Sequence, residues 1–153
     1  MPTVTESIVI ARPRQEVWDF LEDVGNTPRW NPMFVHQELV DAHELAPGVT
    51  IRSTAKMVGR TIHADAVMTQ VDAPHRSTLT TSTPFPATGS YVFEEVPGGT
   101  LFTWHMDAEP GLGGVFGILA DGIVIAMVRM QLRRSMRRLK RHLERAGKPA
   151  LEV

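Results

Sequence analysis

Apolar and polar positions change their rhythm twice along this chain. Residues 3–11 (TVTESIVIA) alternate with a period of two and are rich in β-branched side chains, which predicts a strand. Arg12-Pro13 stops it, and Pro13 opens a short helix over 14–24, where Val17, Trp18, Phe20, Leu21 and Val24 recur at helical spacing. Asn26 or Thr27 caps a second short helix, which carries Pro28 in its first turn and ends at Asn31-Pro32. From Phe34 the two-residue period returns. It marks strands over 34–40, 49–58, 61–71, 75–83, 90–96 and 100–107, separated by Pro- and Gly-containing turns. Strands joined by connections this short are antiparallel.

Strand alternation assigns faces. Val49, Ile51, Ser53, Ala55 and Met57 share one side, with Thr50, Arg52, Thr54 and Lys56 on the other. Ile62, Ala64, Ala66 and Met68 oppose His63 and Asp65, and Phe102, Trp104 and Met106 oppose Thr103, His105 and Asp107. Both His-x-Asp pairs therefore belong to the solvent side. The second change of rhythm comes at 110–148. A glycine-broken apolar run, GLGGVFGILADGIVIAMV, passes into a helix with Val128, Leu132, Met136, Leu139 and Leu143 on one stripe. A helix that is apolar nearly all round at its start calls for something packed around it, and the strands can supply that wrapping. The order strand, two short helices, six strands and one long helix is an α+β layout.

Composition narrows the classes. With 153 residues, 42% of them hydrophobic, the chain suits one domain with a sizeable core. Cysteine is absent, which excludes disulfides, thiolate catalysis and Cys-ligated zinc. Residues 112–132 are the one candidate membrane span, and Asp121, Arg129 and the glycines argue against it. The N-terminus lacks the pattern of a secretory leader, so a cytoplasmic location is expected. Net charge is −1, but it is divided: residues 1–128 hold seven Lys/Arg against fifteen Asp/Glu, and residues 129–153 hold nine against two.

Several motifs jointly resemble one family. The opening IVIARPRQEVWDFLEDVGNTPRWNP, with Pro13, Val17-Trp18, Asp23 and Trp30-Asn31-Pro32, is similar to the START-like, or Bet v 1-like, SRPBCC superfamily and its polyketide cyclase/dehydrase members. Gly48-Val49, VDAPHRSTL (71–79), EVPGGTLFTWHMD (95–107) and the terminal RRLKRHLE agree with it in order. The resemblance implies a helix-grip fold. In it, a seven-stranded curved antiparallel sheet closes around a long C-terminal helix, and two short helices follow the first strand. It also implies a single domain over 1–148 with a short tail at 149–153, and a hydrophobic or aromatic ligand such as a lipid, polyketide or isoprenoid-like molecule between sheet and helix. Trp30, Phe34, Met57, Met68, Tyr91, Phe93, Phe102, Trp104, Met106, Phe116, Leu119, Ile123 and Met127 are the expected cavity lining. Trp30 is placed at the mouth, and Trp18 on the supporting helix, away from the lining.

Fold does not fix function. A binder is the leading expectation, and a polyketide cyclase/dehydratase is the alternative. For the enzyme, Tyr91 is the inward-facing catalytic candidate, with Arg52 or His63 entering only if the strand facing is reversed. A quinone chaperone or membrane-facing module is a further alternative, through Arg133, Arg134, Arg137, Arg138 and Arg141 against anionic lipid. Nucleic acid is not expected, because aromatic platforms beside these arginines are missing. The cluster Gly111, Gly113, Gly114, Gly117 lacks the Lys-Ser/Thr of a phosphate loop, and neither G-x-S-x-G nor H-E-x-x-H occurs. No cofactor and no metal are therefore expected.

Overall fold

The structure is a computed structural model that describes residues 3–57, 59–82, 86–108 and 121–146. Its elements run β1 (Thr3–Ile10), α1 (Arg14–Glu22), a 3₁₀ turn (Val24–Asn26), α2 (Thr27–Trp30), β2 (Phe34–Val40), β3 (Thr50–Met57), β4 (Arg60–Asp72), β5 (Arg76–Thr81), β6 (Ala87–Val96), β7 (Gly99–Ala108) and α3 (Asp121–Ala146). The seven strands form one antiparallel sheet in the order β1-β7-β6-β5-β4-β3-β2. With a long terminal helix and short helices after β1, this is the helix-grip arrangement expected from the sequence.

Local chemistry explains the boundaries that differ. The first helix stops at Glu22 instead of continuing to Val24, because the Asp23 side chain accepts a hydrogen bond from Gly25 N at 3.1 Å. A short carboxylate that satisfies a nearby backbone N–H competes with helix continuation, and the chain tightens into the 3₁₀ turn. β6 begins at Ala87, earlier than expected, where it pairs with Thr81 of β5 and Ala108 of β7. The β6–β7 turn depends on Gly99, at φ +144°, whose backbone lies so close to β1 that an added Cβ would fall 2.0 Å from Ile10 O. Only glycine fits such an approach.

α3 packs by a single stripe. Val124, Val128, Leu132, Met136, Leu139 and Leu143 are buried at successive three- and four-residue steps, with Ser135 buried beside Met136. The expected wrapping of its first half on all sides is not found: Ile123, Met127 and Met130 are 51%, 41% and 54% exposed. The helix rests on the sheet along one face, so residues half a turn from that face meet solvent. The main core joins Leu132, Met136, Leu139 and Leu143 of this stripe to Val4 and Ile10 of β1, to Val17, Trp18 and Leu21 of α1, and to Trp30, Phe93 and Phe102. Among the described residues, no helix is long and apolar enough to cross a membrane.

Candidate functional site

The concave face of the sheet carries small residues at its centre. Across β3 and β4, Ser53 pairs with Ala64, Ile51 with Ala66 and Ala55 with Ile62. Across β5 and β6, Leu79 pairs with Gly89 and Thr81 with Ala87. Side chains this short cannot reach the layer opposite, whereas the large Phe93 and Phe102 fill the neighbouring end completely. The result is a partly enclosed cavity of about 190 Å³. Its floor is the sheet from β3 to β7, its roof comes from Trp18, Leu21, Val24 and Thr27, and Met33, Phe34, Gln37 and Leu45 complete the side. Val128 is the α3 residue that reaches it among the described residues. Among the described residues, the cavity is therefore bordered chiefly by the sheet and the short helices, with less from the terminal helix than expected.

Polar groups at the lining are few and mostly engaged. Gln37 Nε2 donates to Ser53 Oγ at 2.9 Å, and Trp18 Nε1 donates to Glu22 Oε2 at 2.9 Å. Tyr91 differs. Its ring is held edge-on by Phe102, Trp104 and Phe93, with centroids at 5.1, 6.1 and 6.4 Å. Its hydroxyl has no hydrogen-bond partner among the described residues, and the side chain borders the cavity. Burial pushes the phenol pKa well above its ordinary value, so the group stays protonated and is a hydrogen-bond donor at neutral pH. Trp104, which pairs with Tyr91 across the strands, sets its indole Nε1 beside Gly89, where an added Cβ would lie 3.7 Å away.

Of the residues expected to line the cavity, the structure brings together Phe34, Met68, Tyr91, Phe93, Trp104 and Met106. Trp30 does not sit at a mouth. It is fully buried in the core, because the one-turn α2 presses it edge-on against Phe102 at 6.4 Å. Phe102 is likewise fully buried, since its end of the concave face is roofed by α1 and α3 without a gap. Ile123 and Met127 fall on the exposed side of α3 and do not line the cavity. Phe116, Leu119 and the glycine cluster lie outside the described residues, as does the side chain of Met57.

Trp18 was expected away from the lining but borders the cavity, packing against Phe93 with centroids 5.2 Å apart. Its one-residue offset from Val17 on the helix leaves it angled toward the sheet. Ser53, Ala55, Ala64, Ala66, Ser77 and Gly89 also line the cavity, beyond the residues expected there. Their signal was legible as small residues at every second position where a filled core would place large ones.

Arg52 and His63 face away from the cavity on the convex side. Arg52 makes two hydrogen bonds to Asp65 at 3.1 Å, which holds the Asp65 carboxyl below the usual carboxylate range, and His63 Nδ1 lies 3.3 Å from Thr54 Oγ1. Beside β1, Asp107 accepts from Thr3 at 2.8 Å and lies 2.9 Å from His105 Nε2, and its pKa is lowered by those two contacts. These pairs hold neighbouring strands together on the solvent side.

The family model described as polyketide cyclase/dehydrase and lipid transport matches residues 1–144. The chain belongs to this family. Solved structures support the same fold at low identity. A Thermus thermophilus protein is 17% identical with a TM-score of 0.78, the match covering 96% of this chain and 100% of the other. A START superfamily protein from Mycobacterium smegmatis is 13% identical with a TM-score of 0.75, covering 95% and 99%. The di-domain ARO/CYC BexL, from the BE-7585A biosynthetic pathway, is 21% identical with a TM-score of 0.71. That match covers 96% of this chain and 50% of BexL. No curated protein sequence matches the chain at a significant level.

Proposed function

We propose that this member of the polyketide cyclase/dehydrase and lipid transport family binds a small apolar molecule that carries a carbonyl or hydroxyl oxygen. The observation that supports this reading is the protonated Tyr91 hydroxyl, unpaired among the described residues, in a mostly apolar cavity. An unmet donor in such surroundings costs free energy, and a ligand oxygen would satisfy it. Apolar pockets with one or two placed polar groups are the usual form of a small-molecule site. At about 190 Å³ the space suits a fused-ring system or the end of an acyl chain. It is smaller than the ~300–1,000 Å³ pockets that hold drug-sized molecules.

Native mass spectrometry of the protein incubated with a lipid and polyketide extract tests the reading. Retention of an apolar, oxygen-bearing molecule by the wild type, with several-fold weaker retention by Tyr91→Phe, is the expected result. Retention of nothing, together with a solid core in a crystal structure, overturns it.

A second reading, cyclisation and dehydration of a poly-β-ketone, draws on the family and on the likeness to BexL. Such chemistry needs an acid positioned on a carbonyl oxygen. Tyr91 is the unengaged acid among the described lining residues, since the Glu22 carboxylate is held by Trp18 Nε1 and Arg52 and His63 lie on the opposite side of the sheet. Turnover of a poly-β-ketone that falls at least tenfold in Tyr91→Phe supports the enzyme reading, and unchanged turnover removes Tyr91 from it.

A further inference from the structure

One side of α3 is unusual in having no partner among the described residues and no carboxylate. Ile123, Met127, Met130, Arg134, Arg137, Arg141 and Arg145 follow one another at three- and four-residue steps, with Arg138 four residues after Arg134, so they share the stripe opposite the buried one. All eight are exposed. Glu144 is the one acidic residue between 122 and 146, and it is turned to the flank, where Lys140 and the backbone N of Ala11 hold it. Arg129 and Arg133 are drawn to the same flank by Glu6, at 3.4 and 2.8 Å, and they fasten the helix to β1. Arg133, which the sequence grouped with the lipid-facing arginines, is thus engaged within the protein. The other five arginines have no acidic partner among the described residues.

The stripe is sorted along its length: three apolar side chains in the first three turns, then five guanidinium groups. We propose that this face of α3 docks on an anionic lipid bilayer, with Ile123, Met127 and Met130 entering the headgroup boundary and the arginines meeting lipid phosphates. Charge complementarity favours an anionic surface, and a straight stripe of ~33 Å suits a flat one. The exposed methionines and isoleucine favour lipid over nucleic acid, because they offer nothing to a phosphodiester backbone and no aromatic ring lies on the stripe for bases to stack on. Axial sorting makes the helix dock tilted, apolar end deepest. Val128, on the inner face of those same turns, borders the cavity, so docking brings the cavity end of the molecule to the lipid boundary. The proposal concerns the outer face of α3 and holds whether or not the cavity carries a ligand.

Flotation of the full chain with vesicles of phosphatidylcholine, with or without phosphatidylglycerol, tests it at low and high salt. Binding is expected only with phosphatidylglycerol present, and weakened at high salt. It should fall about fivefold for each arginine replaced, the equivalent of ~1 kcal/mol. Arg134→Gln/Arg137→Gln/Arg138→Gln/Arg141→Gln should therefore lose more than tenfold, and Met127→Ser/Met130→Ser several-fold. All these side chains are exposed, so circular dichroism and thermal melting should match the wild type. Three results overturn the proposal: no vesicle binding, vesicle binding indifferent to both variants, or tighter binding to a single-stranded oligonucleotide that Met127→Ser/Met130→Ser leaves unchanged.

Discussion

Tyr91 gives the cavity a phenol hydroxyl without a partner among the described residues, and the chain has no other tyrosine. Its phenol can therefore be followed alone. Because burial raises its folded pKa, the folded protein holds this proton at a pH where an unfolded chain, with an ordinary value of ~10, has lost it. Stability is thus unaffected by this group below about pH 10 and declines as pH rises beyond that. In an alkaline titration read by phenolate absorbance, ionisation is expected to coincide with unfolding. A tyrosine that ionises freely near pH 10 in the folded state would contradict its burial. A neutral hydrogen bond is worth about 0.5–1.5 kcal/mol, so Tyr91→Phe should weaken ligand binding by roughly 3–10-fold with little change in melting temperature. Gly99 is the complementary case, where backbone alone decides. Gly99→Ala puts a methyl group against Ile10 O and forces a strained φ, and a loss of at least ~1–3 kcal/mol in denaturant melts is expected.

The elements contribute unequally to core and cavity. α3 holds the fold through its buried stripe, and Leu139, fully buried beside Met136 and Leu143, is its centre. Leu139→Ala should cost about 2–5 kcal/mol, measured by chemical denaturation. The facing strands β3 and β4 do the opposite: Ser53, Ala55, Ala64 and Ala66 leave space open. Ala64→Leu should fill part of the cavity and abolish ligand retention, while the melting temperature stays equal or rises. A fall in melting temperature with retention intact would mean that Ala64 packs against protein instead of bordering free space. The face assignments of β3, β4 and β7 were readable from period-two alternation, because a sheet with one apolar side admits only one register of in and out. The limits of α1 were not, since one Asp side chain bonding to Gly25 N outweighed the apolar periodicity that ran on to Val24.

At the scale of the whole molecule, two of the three tryptophans border the cavity and the third supports it. Ligand binding should change indole emission, Trp18→Phe and Trp104→Phe should each diminish the change, and Trp30→Phe should preserve it. The convex face adds a pH dependence of its own. Asp65 and Asp107 have folded pKa values below the ordinary carboxylate range, so their contribution to stability is present above about pH 4 and is lost as pH falls through the folded values. Melting temperatures should decline between about pH 5 and pH 2, and Asp107→Asn should flatten part of that decline.

The sequence by itself determined the order of the elements, the faces that β3, β4 and β7 turn inward and the stripe by which α3 is buried, because these follow from local periods of two and 3.6 residues. It also singled out Tyr91 as an inward polar group and the basic half of α3 as a separate surface. Tertiary structure alone decided where the empty space lies. Whether Trp30 and Phe102 border a cavity or seal a core depends on how closely α1, α2 and α3 approach the sheet, and Trp18 turns from support to lining by the same distance. The exposure of Ile123 and Met127 was settled in the same way. A run apolar on all sides tells how much surface could be buried, while the phase of the helix against the sheet selects the part that is.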